Sequence, residues 1–167
     1  MATTYANAIR AGLLSALKAD LPPKLTALNL PPIETWFSKR DEPRSTHECP
    51  AVVVRFMGWS QGEGGAGPSI GGADTYIERL YDFRVLVVIH DDDPEEADEA
   101  LAAYADAIAA VLDDYDNMTL GGAAEDILLA MRCSTTPGLN IEGFSRRVRA
   151  AGIDVRVKIG REAGEYT

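Results

Sequence analysis

The stretch HDDDPEE, residues 90–96, sets a histidine beside five carboxylates. Oxygens of that kind, if they converged from several directions, would hold a hard cation. The same residues also read as the start of a helix. Asp93 is the N-cap, Pro94 takes the first helical position and Glu96 completes a capping box. The acids then sit at the positive end of the helix dipole. That reading uses every residue without a metal. His47 and Cys49 form a His-x-Cys pair, with His90 and Cys133 elsewhere. Structural zinc sites carry paired ligands at fixed spacing, and this set has none. A nucleophilic Cys49 assisted by His47 would need a third, orienting group, and nothing in the sequence marks one. Cys133, inside an apolar stretch, reads as a small core residue. Two cysteines do not make a disulfide framework, and spacing alone leaves a Cys49–Cys133 bridge open. No catalytic, metal or cofactor residue is assigned, and the chain is not expected to be an enzyme.

GWSQGEGGAGPSIGGADTY, residues 58–76, lies between two strand-like runs. A phosphate-binding loop would need a lysine followed by Ser or Thr and then a helix. Here no lysine follows and the chain leads into a strand, so that reading fails. Two readings remain: an idle flexible loop, or an arm ordered by a partner. Trp59, Ile70 and Tyr76 favour the arm. Ordering such a segment costs roughly 1–2 kcal/mol per residue in backbone entropy, and a neighbouring subunit closing on aromatic anchors could supply that. Trp36 and Phe37, in ETWFSKRDEPR, either plug a sheet edge or anchor a partner. Arg146, Arg147 and Arg149 form a basic cluster that is either a solvated strand face or a dock for a neighbour's acidic helix. Gln61 and Glu63 within the stretch and Arg79 just beyond it complete the candidate contact set.

These residues need elements to hold them. Tyr5, Ile9, Leu13, Ala16 and Leu17 recur at helical spacing, which predicts a helix over 4–20 capped by Thr3 or Thr4 and stopped by Pro22 and Pro23. A proline-rich, irregular segment with one short strand near residues 33–37 comes next. AVVVRF (51–56) predicts a strand. TYIERLYDFRVLVVIH (75–90) predicts a long one, apolar on its odd positions and apolar on its even positions only towards the end. That pattern implies a second covering layer there. Ala97, Leu101, Tyr104, Ala105, Ile108, Val111, Leu112 and Tyr115 make the clearest amphipathic stripe. TLGG (119–122) closes the connection and DILLAMRC (126–133) predicts a strand. TTPGLN (135–140) reads as a turn and RRVRAAGIDVRVKIG (146–160) as the last strand. Val148 falls out of phase with Ile153, Val155, Val157 and Ile159, which predicts a bulge near 150–152. A glycine-rich loop at 58–74 and a polar tail at 161–167 complete the reading. The expected fold is α+β: one domain over 1–167, a mainly antiparallel sheet with the N-terminal and central helices on one face.

The chain has 167 residues, 46% hydrophobic, with Asp+Glu 26 against Lys+Arg 16 and a formal net charge of -10. This suits one folded domain with a sizeable core. It is the wrong sign for holding nucleic acid or anionic membranes. The N-terminal residues lack the apolar core of a signal peptide, and no stretch approaches the ~18 apolar residues of a membrane span. A reduced protein made in the cytoplasm is expected.

From residue 51 to 160 the element order resembles the tail terminator, or tail completion, proteins of long-tailed bacteriophages. The resemblance rests on PAVVVRF, YIERLYDFRVLVVIH, the acid-capped helix PEEADEALAAYADAIAAVL, the short LGG, ILLAMRC and the closing GIDVRVKI. It is one of element order and texture. It implies a virion protein at the head-proximal end of the tail, assembled as a hexameric ring. Its partners would be copies of itself, the tail tube protein and a head-side connector protein. DNA would pass through the channel without specific binding. A head–tail connector or neck protein is the nearest alternative. A ferredoxin-like ligand-binding or enzyme domain, with its site under the helices, is the remote one.

Overall fold

A computed structural model of the chain describes residues 4–37, 48–61, 76–90, 93–124, 126–139 and 148–162. The elements run α1 (Tyr5–Ala27), β1 (Thr35–Phe37), β2 (Ala51–Gln61), β3 (Tyr76–His90), α2 (Pro94–Leu112), β4 (Asp126–Leu139) and β5 (Val148–Glu162). The strands form one sheet in the order β1-β2-β3-β5-β4. Every pairing is antiparallel except β1 with β2. Both helices pack on one face, so the fold is the α+β arrangement that the patterning predicts.

Helix α1 starts where expected: the Thr4 hydroxyl accepts from the Asn7 N–H at 3.3 Å. It does not stop at the prolines. It continues to Ala27 with Pro22 and Pro23 inside it. The two missing N–H groups would have served the carbonyls of Lys18 and Ala19, on the exposed side of the helix, where water can take over. Leu13, Leu17, Leu21 and Leu25 continue the buried stripe through the prolines, at 0 to 2% exposure. Burial of side chains of this size is worth roughly 1.5–3 kcal/mol each, which offsets much of the roughly 3 kcal/mol that each interior proline costs. The helix ends instead at Asn29, whose φ of 55° turns the chain out of the helix.

Helix α2 follows its predicted stripe. Asp93 Oδ1 accepts from the N–H groups of Glu95 and Glu96 at 2.9 and 3.3 Å. Leu101, Ile108, Val111 and Leu112 are fully buried. The Tyr104 hydroxyl donates to the Pro31 carbonyl at 2.6 Å, tying the helix to the segment before β1. Tyr115 lies beyond the helix, at the start of a short 3-10 turn. In the TLGG connection Gly121 and Gly122 take φ of 68° and 93°, a conformation glycine adopts without strain. That turn carries Leu120 against α1, where Gly12 leaves no room for a side chain: a β-carbon there would lie 2.9 Å from Leu120 Cβ.

The covered face of the sheet is continuous. Val52 and Val54 of β2 join the odd positions of β3 from Tyr81 to Ile89. Ala151, Ile153, Val155, Val157 and Ile159 of β5 complete it. On the other face two small clusters form at the His90 end: Cys49, Val88, Val148 and Ala150, then Phe37, Ala51 and Val53 with Leu86. They take in the late apolar even positions of β3, Leu86 and Val88, but apart from Cys49 they consist of the sheet's own residues, and among the described residues no second layer is seen over them. They also correct the bulge expected at 150–152. The β3–β5 register runs unbroken from His90↔Val148 to Tyr76↔Glu162. Val148 is out of phase because it serves the other face.

The irregularities lie in β4 instead, between Leu128 and Arg132 and between Thr136 and Leu139. The second of these contains Pro137 and Gly138, so the expected turn at 135–140 is, up to Leu139, a bulged stretch of edge strand. Proline is tolerated at such a place because it has no N–H to lose from the ladder. Two further boundaries move. Residues 58–61, read as loop, belong to β2, and 161–162, read as tail, belong to β5. The rest of the glycine-rich segment (62–75) and of the tail (163–167) lies outside the described residues.

Candidate assembly interface

The contact residues drawn from the sequence fall in three places. Trp59, Gln61 and Arg79 come together at one end of the β2–β3 ribbon. The register there is Trp59↔Tyr81 and Gln61↔Arg79. Tyr76 begins β3 nearby, opposite Glu162 of β5. Trp36 and Phe37 lie at the opposite end of β2, paired with Val52 and Val53. Trp36 packs half-buried against the main core, while Phe37 is 6% exposed on the other face. They fit the edge-plug reading. Arg149 ion-pairs with Asp98 of α2. The acidic helix that Arg149 meets is therefore its own, not a neighbour's. Glu63, Ile70, Arg146 and Arg147 lie outside the described residues, as does His47.

A bulge decides what the ribbon end displays. Phe56 pairs with Phe83 and Gly58 with Asp82, so Met57 is the extra residue. Gly58 has a φ of 140°, a backbone that side chains rarely tolerate. Strand parity reverses at this point. Before the bulge, Val52, Val54 and Phe56 face the helices. After it, Trp59 and Gln61 share that side with Tyr81 and Arg79. Met57 and Trp59 emerge 50% and 53% exposed, two of the three large apolar side chains so exposed among the described residues.

The Arg79 guanidinium lies 4.2 Å from the centre of the Trp59 ring. Such a contact is worth about 0.5–1 kcal/mol at an exposed site. Phe56 continues the aromatic surface inward, its ring centre 6.3 Å from Tyr81 and 5.3 Å from Phe83. The first turn of α1 closes the other side. Together Thr4, Tyr5, Ala6, Phe56, Trp59, Arg79 and Tyr81 line a hollow of about 320 Å3. Sequence reasoning finds Trp59 and Arg79 but misses Phe56, Tyr81 and Tyr5 as their neighbours. Periodicity marks all three as core-facing, and no local signal reveals that the core opens here.

The face away from the helices carries a ladder of ion pairs, also missed. Arg84 and Asp154 stand directly opposite, with Nε to Oδ1 at 2.6 Å and Nη2 to Oδ2 at 3.2 Å. Arg156 meets Asp82 the same way, at 2.7 and 3.3 Å. Lys158 reaches Glu78 at 2.8 Å. The hydrogen bonds that Arg84 and Arg156 donate to Asp154 and Asp82 hold their pKa above the ordinary arginine value. With Met57 these pairs flank a second shallow hollow, of about 310 Å3. Its charges neutralise one another, so nothing there selects a charged ligand.

The other chemical candidates resolve locally. Cys49 is a free, buried thiol. Burial, helped by Glu48, pushes its pKa up to about 11, the opposite of what a nucleophile needs. Asp93 is engaged in the helix cap, and Asp91 and Asp92 lie outside the described residues. Among the described residues no group of three or more His, Cys, Asp or Glu could hold a metal ion. Among them, too, no helix is long and apolar enough to cross a membrane.

The edges of the sheet are unequal. On the outer side of β2, β1 covers only residues 51–53, so among the described residues 54–61 have no strand beside them there. β4 is the other edge. No protein-family model matches the chain, and no curated protein matches it in sequence.

Proposed function

We propose that this chain is a structural subunit that assembles with copies of itself, as the tail terminator of a long-tailed bacteriophage. The observation that carries this reading is the stretch of β2 over 54–61, without a strand on its outer side among the described residues and ending near the exposed Trp59. An uncovered edge of that length invites pairing, and folded proteins cover, charge or twist away such edges. Closure into a ring covers every edge with a neighbour and leaves none for uncontrolled growth. The α+β fold is the one the family resemblance implies. The acidic balance suits a channel through which DNA passes without being held. On this reading the ring sits on the finished tail tube, stops its growth and offers a surface to the head-side connector.

The test is electron microscopy of particles made without this gene. Headless tails of uncontrolled length are the expected result. Normal-length free tails that cannot join heads would assign the chain to the neck instead. Unchanged infectious particles would exclude both roles.

A further inference from the structure

We infer that the aromatic hollow at the end of the β2–β3 ribbon receives the acidic face of α2 from a second copy of the chain. The inference rests on the self-assembly reading and names the contact that would produce it.

The hollow combines an exposed Trp59, the Arg79 guanidinium stacked on it, and Tyr5, Phe56 and Tyr81 behind. Arg79 is the one formal charge among its lining residues. Beside it the first turn of α1 has no acidic residue to offset the positive end of that helix. Tryptophan, tyrosine and arginine in this combination are the residue types that anchor protein contacts.

The complement is on the same chain. Helix α2 holds five carboxylates and no lysine or arginine. Asp98 is engaged by Arg149 of its own chain. Glu95, Glu99 and Asp106 are exposed on α2, spaced about one and two helical turns apart. They make a negative ridge long enough to meet both the Arg79 guanidinium and the N-terminal turn of α1.

The two surfaces are distinct, because the acidic ridge lies opposite the buried stripe of α2. α1 lies over β2, whereas α2 lies over β3 and β5 and reaches β4. No residue of α2 lines the hollow of its own chain, so the contact joins two different surfaces and can run head-to-tail between copies. Repeated with rotation, such a contact closes a ring. The outer side of β2 over 54–61, which has no strand beside it among the described residues, is continuous with the hollow through Trp59, so the same neighbour would cover both.

Sedimentation velocity on the full chain tests this with three proteins: wild type, Arg79→Glu, and the triple variant Glu95→Lys, Glu99→Lys, Asp106→Lys. Each variant alone is expected to assemble at least about tenfold more weakly, with an unchanged circular dichroism spectrum. An equimolar mixture of the two is expected to recover assembly, because alternating copies restore an opposite-charge pair at every contact. Trp59→Ala, at an exposed position, is a second probe and is also expected to weaken assembly at least about tenfold. Variants that assemble like wild type, or a mixture of folded variants that stays apart, would overturn this contact and leave the assembly reading standing. A wild-type chain that never assembles would overturn both.

Discussion

At one end of the β2–β3 ribbon, Ala51, Val52, Val53 and Val54 pair with Val88, Val87, Leu86 and Val85. At the other, Trp59, Ser60 and Gln61 pair with Tyr81, Leu80 and Arg79. The ladder is the same, but the surroundings differ. The first end is covered by the helices on one face, and on the other its residues pack in the small clusters around Cys49 and Phe37. The second leaves all three of its β2 residues exposed. Between them sits the bulge at Met57, which turns Trp59 to the helix side just where α1 begins. A single ribbon thus supplies the monomer's core at one end and a surface suited to a partner at the other.

Three substitutions probe the two ends and the helix that covers one of them. Phe83 is 1% exposed on the covered face, and Phe83→Ala should cost about 3–5 kcal/mol in denaturant unfolding. A loss below about 1 kcal/mol would mean that the covered face is not packed as described.

Tyr104→Phe removes the hydroxyl that donates to Pro31 and should cost about 0.5–1.5 kcal/mol. Burial pushes the Tyr104 pKa from 10.0 up to about 12, so the fold favours the neutral phenol. Its contribution is complete below pH 10 and is lost as pH rises through about 12. The advantage of wild type over Tyr104→Phe in unfolding curves should therefore shrink steadily as pH rises from 10 towards that value. A gap that stays constant would show that this phenol is not held neutral by the fold.

Trp59→Ala should change monomer stability by no more than about 1 kcal/mol, because the ring is 53% exposed and gives up mainly its contact with Arg79. Its effect belongs to assembly. A large loss of monomer stability would place Trp59 in the core and erase the difference between the two ends.

Much of this fold is legible in the sequence. The alternation in β3 and β5 identifies the covered face, and the stripe and cap of α2 identify that helix. The missed features share a cause: local signals outweighed by packing. Pro22 and Pro23 read as a stop, yet Leu21 and Leu25 extend the four-residue spacing of Leu13 and Leu17 beyond them. Pro137 and Gly138 read as a turn, yet an edge strand absorbs them in a bulge. Val148 breaks the phase of β5 because it belongs to a cluster on the other face, which only the assembled sheet reveals. The candidate interface is half legible. Trp59 and Arg79 stand out by type, but their meeting depends on one extra residue at Met57, and no composition or periodicity announces that.

If copies of this chain complete the exposed end of the ribbon, the purified wild-type protein must show it without any other component. Native mass spectrometry across a range of concentrations should find one closed oligomer of defined copy number at high concentration, dissociating on dilution or in high salt. A monomer at every concentration would contradict the assembly reading at its root.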